Sequence, residues 1–278
     1  MIPSVQWASA GLELSRRLER AEGHVCTMFA EAQRRVRPES GAEWVECAGV
    51  YAAFNGVTSL VTQTFGLGIF ETASTATLDT IERFFFERGA ATVHEVSPFA
   101  GVAAMELLCH RGYRPVEISN VMYRPVQAPA AVNLPDVRAH VAGLAETSVW
   151  ADVMARAWSS EHPELAELLA GHGAIAAVCK DSIPFLAEFQ GRPGAAGSLC
   201  LHDGVGLLGG AATLPELRRR GLQTALIAAR MQYAVDHSCD LLMVTVEPGS
   251  NSQRNAERNG FRVAYTRTKW RLDKPKPV

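Results

Sequence analysis

Three consecutive arginines, Arg218, Arg219 and Arg220, stand directly before Gly221 and the helical run LQTALIAAR. A helix beginning at Leu222 leaves its first N–H groups without intrahelical partners, and its dipole places about half a positive charge there. Gly221 lets the chain turn and lets an anion approach without meeting a Cβ. The guanidinium groups raise the local potential, and their backbone amides can join the same nest. The sum is a site for a pyrophosphate. A solvated basic helix start is the plainer alternative. Positive charge at a helix N-terminus opposes the dipole, however, and calls for an anion to offset it. Two other phosphate loops are excluded, because neither GxxxxGK[ST] nor GxGxxG occurs.

The rest of the chain must position this turn. Its 278 residues predict two domains. At 47% hydrophobic and 20% charged it can bury a sizeable core. A net charge of −2 argues against nucleic acid as a partner. The six cysteines (26, 47, 109, 179, 200 and 239) stand singly, which excludes a sequence-local zinc framework and suits reduced, buried thiols; no metal site is expected. No apolar run reaches the ~18–20 residues that span a bilayer. The N-terminus lacks the order of a signal peptide. The expectation is a cytoplasmic protein with no membrane partner.

Periodicity places one or two helices at 11–35, helices at 77–89 and 100–112, and strands at 42–56, 57–68, 92–98 and 113–126, with Asn55-Gly56 as the turn between the first two strands. The Pro- and Ala-rich stretch 127–135 reads as a linker. Beyond it come a strand at 137–143, helices at 146–159 and 163–173, and a meander at 184–191, 197–203 and 205–215. The run GLLGG inside the last strand marks a bulge or a close approach. A helix follows from 222 to 237, with Leu222, Leu226, Ala229 and Tyr233 on one face, then an apolar strand at 240–248, a helix at 251–260, and strands FRVAYTRT and KWRL. The halves echo each other: TVHEVSP, helix and HRGYRPVE match MVTVEP, helix and ERNGFRVAY, with Gly112-Tyr113 and Gly260-Phe261 at the helix-to-strand turns.

With AATLPELRRRGLQTAL followed by VTVEPGSNSQRNAERNGF, the sequence resembles the GNAT superfamily of acyl-CoA-dependent N-acyltransferases. The resemblance covers 137–272 well and extends weakly to 42–126. It implies an α/β (α+β) fold of two tandem GNAT-like domains, each a mixed, mostly antiparallel sheet flanked by helices: a degenerate domain at 1–130 and an acyl-CoA-binding domain at 131–278. It also implies acetyl-CoA as co-substrate. Ala211, Ala212, Thr213 and Leu214 would pair with the pantetheine arm. Arg218 supplies the family's motif arginine. Arg219, Arg220, Gly221, Leu222, Gln223 and Thr224 would give amides to the pyrophosphate, and Asn255 would lie near the sulfur end. Gln223 stands where the family usually has Gly or Ala, and Ala256 where many members carry an acidic tyrosine.

Acyl transfer to an amine needs a polarised carbonyl, most simply through an N–H near Thr213 or Leu214. It also needs a base for the amine proton. Glu247, at the end of the apolar strand, and Glu188, in a mostly apolar strand where burial would raise its pKa, are the candidates. Tyr265 is the candidate acid, with core packing as its alternative role. His202 reads as a turn residue, while His94 and Glu95, on the equivalent strand of the first half, could face a site, with a satisfied core or surface pair as the commoner reading. The first half has Gly66 and Gly68 but no arginine turn, and Ser74, Thr75 or Thr77 caps its helix. It is expected to have lost CoA binding and to shape the acceptor pocket. Phe84, Phe85 and Phe86 cannot all face inward, so one ring packs between the halves or makes a homodimer patch. The acceptor would be a small-molecule amine, a peptide N-terminus or a lysine. The alternative is a sensor that binds acyl-CoA without turnover.

Overall fold

A computed structural model describes residues 7–129, 134–160 and 163–275. The middle of the predicted linker therefore lies outside the described residues. The first half runs α1 (Leu12–Val36), β1 (Glu43–Cys47), β2 (Val50–Phe54), β3 (Gln63–Phe65), α2 (Thr75–Glu87), β4 (Thr92–Val96), α3 (Gly101–His110) and β5 (Arg114–Pro125). The second runs β6 (Val137–Val141), α4 (Thr147–Ser159), α5 (Ala166–Ala176), β7 (Ser182–Phe189), β8 (Arg192–His202), β9 (Val205–Thr213), α6 (Leu222–Asp236), β10 (Leu241–Val246), α7 (Asn251–Arg258) and β11 (Arg262–Leu272). This is the mixed α/β, mostly antiparallel architecture expected.

Two local expectations change. The predicted strand 42–56 is itself a hairpin, turning at Ala48-Gly49 with φ of 51° and 76°, and Asn55-Gly56 opens the loop from β2 to its antiparallel partner β3. Two left-handed residues in succession match the twist of antiparallel strands. Asn55 organises the loop that it opens, its Nδ2 donating to Val61 O at 2.8 Å. FRVAYTRT and KWRL form one strand, β11.

The chain divides into two compact units, residues 1–124 with 243–278, and residues 125–242. In the first unit the strand order is β1-β2-β3-β4-β11-β5-β10, the last contributing Met243–Val246. Thus the C-terminal strand β11 lies between β4 and β5, antiparallel to both, with Trp270 opposite His94 and Thr266 opposite Asn120. Alternation along β11 puts Tyr265, Arg267 and Lys269 on one face. Arg267 is 2% exposed and meets three carboxylates. Its Nη1 and Nη2 bind Glu22 at 2.7 and 2.9 Å, Nη1 lies 3.3 Å from Glu19, and Nε is at ion-pair distance (2.9 Å) from Glu95 without hydrogen-bond alignment. Lys269 reaches Glu95 and Glu117 at 3.2 and 2.5 Å.

Burial pushes the Glu19 carboxyl up to about 7, against the pull of Arg267 and the Tyr265 hydrogen bond. The folded state therefore binds this proton more tightly than the unfolded chain. The stability it contributes is full below pH 4.5 and is lost as pH rises through about 7. Measured against Glu19→Gln by urea unfolding, the wild type should lose on the order of 2–3 kcal/mol between those limits; parallel profiles would refute this.

The internal repeat recurs in backbone detail. After α3, Tyr113 N donates to Leu108 O and Gly112 N to Cys109 O; after α7, Phe261 N donates to Ala256 O and Gly260 N to Glu257 O. Both glycines are left-handed, with φ of 89° and 81°, as this helix-ending motif requires. Among the three phenylalanines, Phe84 and Phe85 are buried and Phe86 is half-buried.

In the second unit β9, β8, β7 and β6 form an antiparallel meander. Trp150, Val153 and Met154 of α4 cover one face, against Leu186, Ala196 and Ala212. α6 covers the other, where Tyr233 meets Phe185 edge-on at 5.7 Å. Three cysteines are buried as expected (26, 200 and 239), but Cys109 is exposed.

Candidate functional site

The cofactor-binding candidates of the second unit form one continuous turn. β8 and β9 slip register between Ala196 and Ser198, so Gly197 faces both Gly210 and Ala211. GLLGG therefore ends in a β-bulge, with Gly210 at φ 43°. Gly210 is needed here for space as well, because a Cβ would lie 3.1 Å from Met154 Cε. Past the bulge, Ala212 pairs with Ala196 and Thr213 with Ala195. Leu214 N donates to Gly194 O at 2.9 Å. The strand alternates, so Thr213 turns its own N–H away from β8. The sequence left Thr213 and Leu214 as equal candidates to polarise a carbonyl; the Leu214 amide is already engaged.

A 3-10 turn, Pro215–Leu217, leads into the arginines. Leu217 and Leu222 clamp this segment onto β8 at Gly194, where a Cβ would sit 2.4 Å from Leu217 Cδ1. Arg219 is left-handed at φ 62° and Gly221 at φ 86°. A bulky non-glycine residue in that region carries strain that its surroundings must sustain. The three side chains diverge. Arg218 folds back, Nε donating to Thr213 O and Nη2 to Ser160 Oγ, each at 3.3 Å. Arg220 stacks on the Phe189 ring at 5.2 Å. Arg219 is exposed.

Helix α6 begins at Leu222 with Gly221 as N-cap, no side-chain cap and no acidic residue in its first turn. The amides of Leu222, Gln223 and Thr224 therefore open outward. The Gln223 side chain folds back, Nε2 donating to Thr213 Oγ1 at 2.8 Å, and ties the helix start to the end of β9. The equivalent helix of the first half, α2, is closed. Of the three capping candidates Ser74 does it, its Oγ accepting from Thr77 N at 3.2 Å. There Phe70 fills the space against Gly49 and Gly66, and Arg20 lies over its ring at 4.1 Å.

The remaining candidates separate. Glu188, on β7, is half-buried. Its setting is polar, a correction to the apolar environment expected: Arg138 lies opposite, and His140 and Glu146 offer ligand atoms within 4.8 Å of one another and of Glu188. Such a trio has donors for a divalent cation. Glu146 is already held by Gly143 N and His140 Nε2, both at 2.9 Å, and the Gly143 hydrogen bond, then His140, lowers its carboxyl pKa. In the first unit, Glu247 is exposed just after β10, and Asn255 is half-buried on α7. Ala256 is the buried residue of α7. Tyr265 is taken out of the acid role. Its hydroxyl donates to Glu19 at 2.8 Å inside the packed core, and burial together with the Glu19 charge raises its pKa well above normal. His94 is likewise a core residue, hydrogen-bonded to Thr64 at 2.6 Å and Tyr113 at 3.2 Å, and burial lowers it to about 3.

Sequence reading missed Arg230. It occupies the inner face of α6 between Leu226 and Ala234, and it is 2% exposed. The available signal was an arginine four residues after Leu226, on the apolar stripe.

Residues 149–261 match the Acetyltransferase (GNAT) family model. No curated protein matches the chain. Among solved structures, a GCN5-related N-acetyltransferase from Kribbella flavida is similar at 20% identity and TM-score 0.63, over 91% of this chain and 96% of that one. A tandem GNAT protein from the clavulanic acid biosynthesis pathway is 11% identical at TM-score 0.57, over 98% of each chain. A GCN5-related N-acetyltransferase from Sphaerobacter thermophilus is 18% identical at TM-score 0.52, over 73% of this chain and 69% of that one. At these identities the likeness is one of fold. Among the described residues, no helix is long and apolar enough to cross a membrane.

Proposed function

We propose, from the match of residues 149–261 to the acetyltransferase (GNAT) family model, that the chain transfers an acetyl group from acetyl-CoA to an amine. The observation that carries this reading is the uncapped start of α6 behind the left-handed Arg219 and Gly221. Open amides, the helix dipole and an exposed guanidinium together suit a diphosphate. The amides of Leu222, Gln223 and Thr224 would hold it, with Arg219 as countercharge. The last residues of β9, Ala211 to Thr213, would lie along the pantetheine arm, and the Thr213 N–H is the remaining candidate to polarise the thioester carbonyl.

In the reaction the amine lone pair attacks the carbonyl carbon and the C–S bond breaks. The electron pair leaves on sulfur, and the amine proton passes to a carboxylate. A free thiol has a pKa of about 8.5, so the departing thiolate can take its proton from water. With Tyr265 committed to Glu19, this route needs no dedicated acid. Glu188 and Glu247 are the two candidate bases. The acceptor is a small amine, a peptide N-terminus or a lysine.

Calorimetry with acetyl-CoA and a free-thiol release assay over a panel of amines test the proposal. Removing the true base, by Glu188→Gln or Glu247→Gln, should lower kcat about 10²–10⁴-fold while leaving acetyl-CoA binding intact. Saturable binding without turnover on any amine would favour the sensor reading. No binding at all would end both.

A further inference from the structure

Arg230 has no carboxylate partner among the described residues. Its Nε donates to Leu226 O at 3.2 Å, and its Nη1 to Ser198 O at 3.1 Å and Gly209 O at 3.4 Å. Ser198 and Gly209 are cross-strand partners, the pair next to the slip between β8 and β9. One guanidinium nitrogen thus holds a carbonyl from each strand where the ladder breaks. Gly197 supplies the room, because a Cβ there would lie 3.1 Å from Arg230 Nη1. On the other face Trp150 Nε1 donates to Gly197 O at 3.0 Å. The bulge is gripped from both sides.

Helix packing alone does not call for this residue. A leucine or methionine would continue the stripe, whereas a charge buried without an opposite charge is destabilising. Desolvation lowers the Arg230 pKa to about 10, which leaves it charged at neutral pH.

Resting on the acyl-transfer reading above, we propose that Arg230 is a positioning residue for that reaction. It fixes the bulge that aims the end of β9 at the thioester, and it supplies an uncompensated positive charge beneath it. As the amine adds to the carbonyl carbon and the C–S bond breaks, negative charge appears first on the carbonyl oxygen and then on sulfur. A fixed cation nearby favours both. Arg230 acts through Ser198 and Gly209 and does not touch the reacting atoms.

The test compares wild type with Arg230→Met, Arg230→Lys and Gly197→Ala, measuring acetyl-CoA Kd by calorimetry and kcat by thiol release. Arg230→Met should lower kcat about 10–100-fold with Kd changed less than about threefold, a smaller effect than loss of a direct oxyanion donor. Lysine keeps the charge but lacks the second donor, Nε, that anchors the guanidinium to Leu226 O while Nη1 takes both strand carbonyls, so Arg230→Lys should fall between. Gly197→Ala presses on the guanidinium at 3.1 Å and on Ala211 Cβ at 3.2 Å, so it should shift Nη1 slightly and lower kcat with Arg230 intact, by less than Arg230→Met; if Arg230→Met does not fold, it and Arg230→Lys decide. An unchanged kcat, or kcat and binding lost by the same factor, overturns the role of Arg230 alone. A wild type that takes up no acetyl-CoA overturns the acyl-transfer reading itself and this one with it.

Discussion

Arg267→Met should remove about 3–5 kcal/mol of stability, because it leaves buried carboxylates without their cation. Glu19, Glu22 and Glu95 all converge on this guanidinium. Burial alone would lower its pKa, but these three carboxylates outweigh burial and hold it well above normal. Urea unfolding reads the loss directly, and a change under about 1 kcal/mol would show that the cluster does not hold β11 in place. Adding Glu19→Gln should return little of the loss at neutral pH, since Glu19, raised to about 7 even beside the cation, takes up a proton once the cation is gone. A double-mutant cycle separates that coupling from general damage.

Gly221→Val should weaken acetyl-CoA binding at least about tenfold, equivalent to 1.4 kcal/mol. Two effects act together. At φ 86° a β-branched residue meets its own carbonyl. The added Cβ would also lie 2.7 Å from Leu134 Cδ1. The chain escapes by shifting the first turn of α6, the turn proposed to hold the diphosphate. Gly221→Asn tolerates the left-handed region better, and combined with Leu134→Ala it should recover most of the affinity in calorimetry. Equal binding by Gly221→Val and wild type would place the diphosphate elsewhere.

Local chemistry was legible in the sequence wherever one residue decides it. Gly221 marks the turn, Ser74 closes α2, GLLGG marks the bulge, and the paired glycines 112 and 260 end α3 and α7. These features depend on φ, on the side chain nearest an amide, or on the space a Cβ would fill, all set within a few residues. The hairpin at Ala48-Gly49 escaped because alanine is an uncommon left-handed residue, while Asn55-Gly56 carries the stronger turn signal.

What the tertiary structure alone decided is which groups meet. Alternation along β11 shows that Tyr265, Arg267 and Lys269 share a face, but not that the strand enters between β4 and β5. Backbone hydrogen bonding is the same for any partner strand, so the choice falls to the carboxylates of α1 and β4, hundreds of residues away in the chain for α1. That choice turned Tyr265 from a candidate acid into a core donor. It likewise took the slip between β8 and β9 to give Arg230 two carbonyls to hold, because a helix pattern records that a side chain faces inward but not what waits for it there.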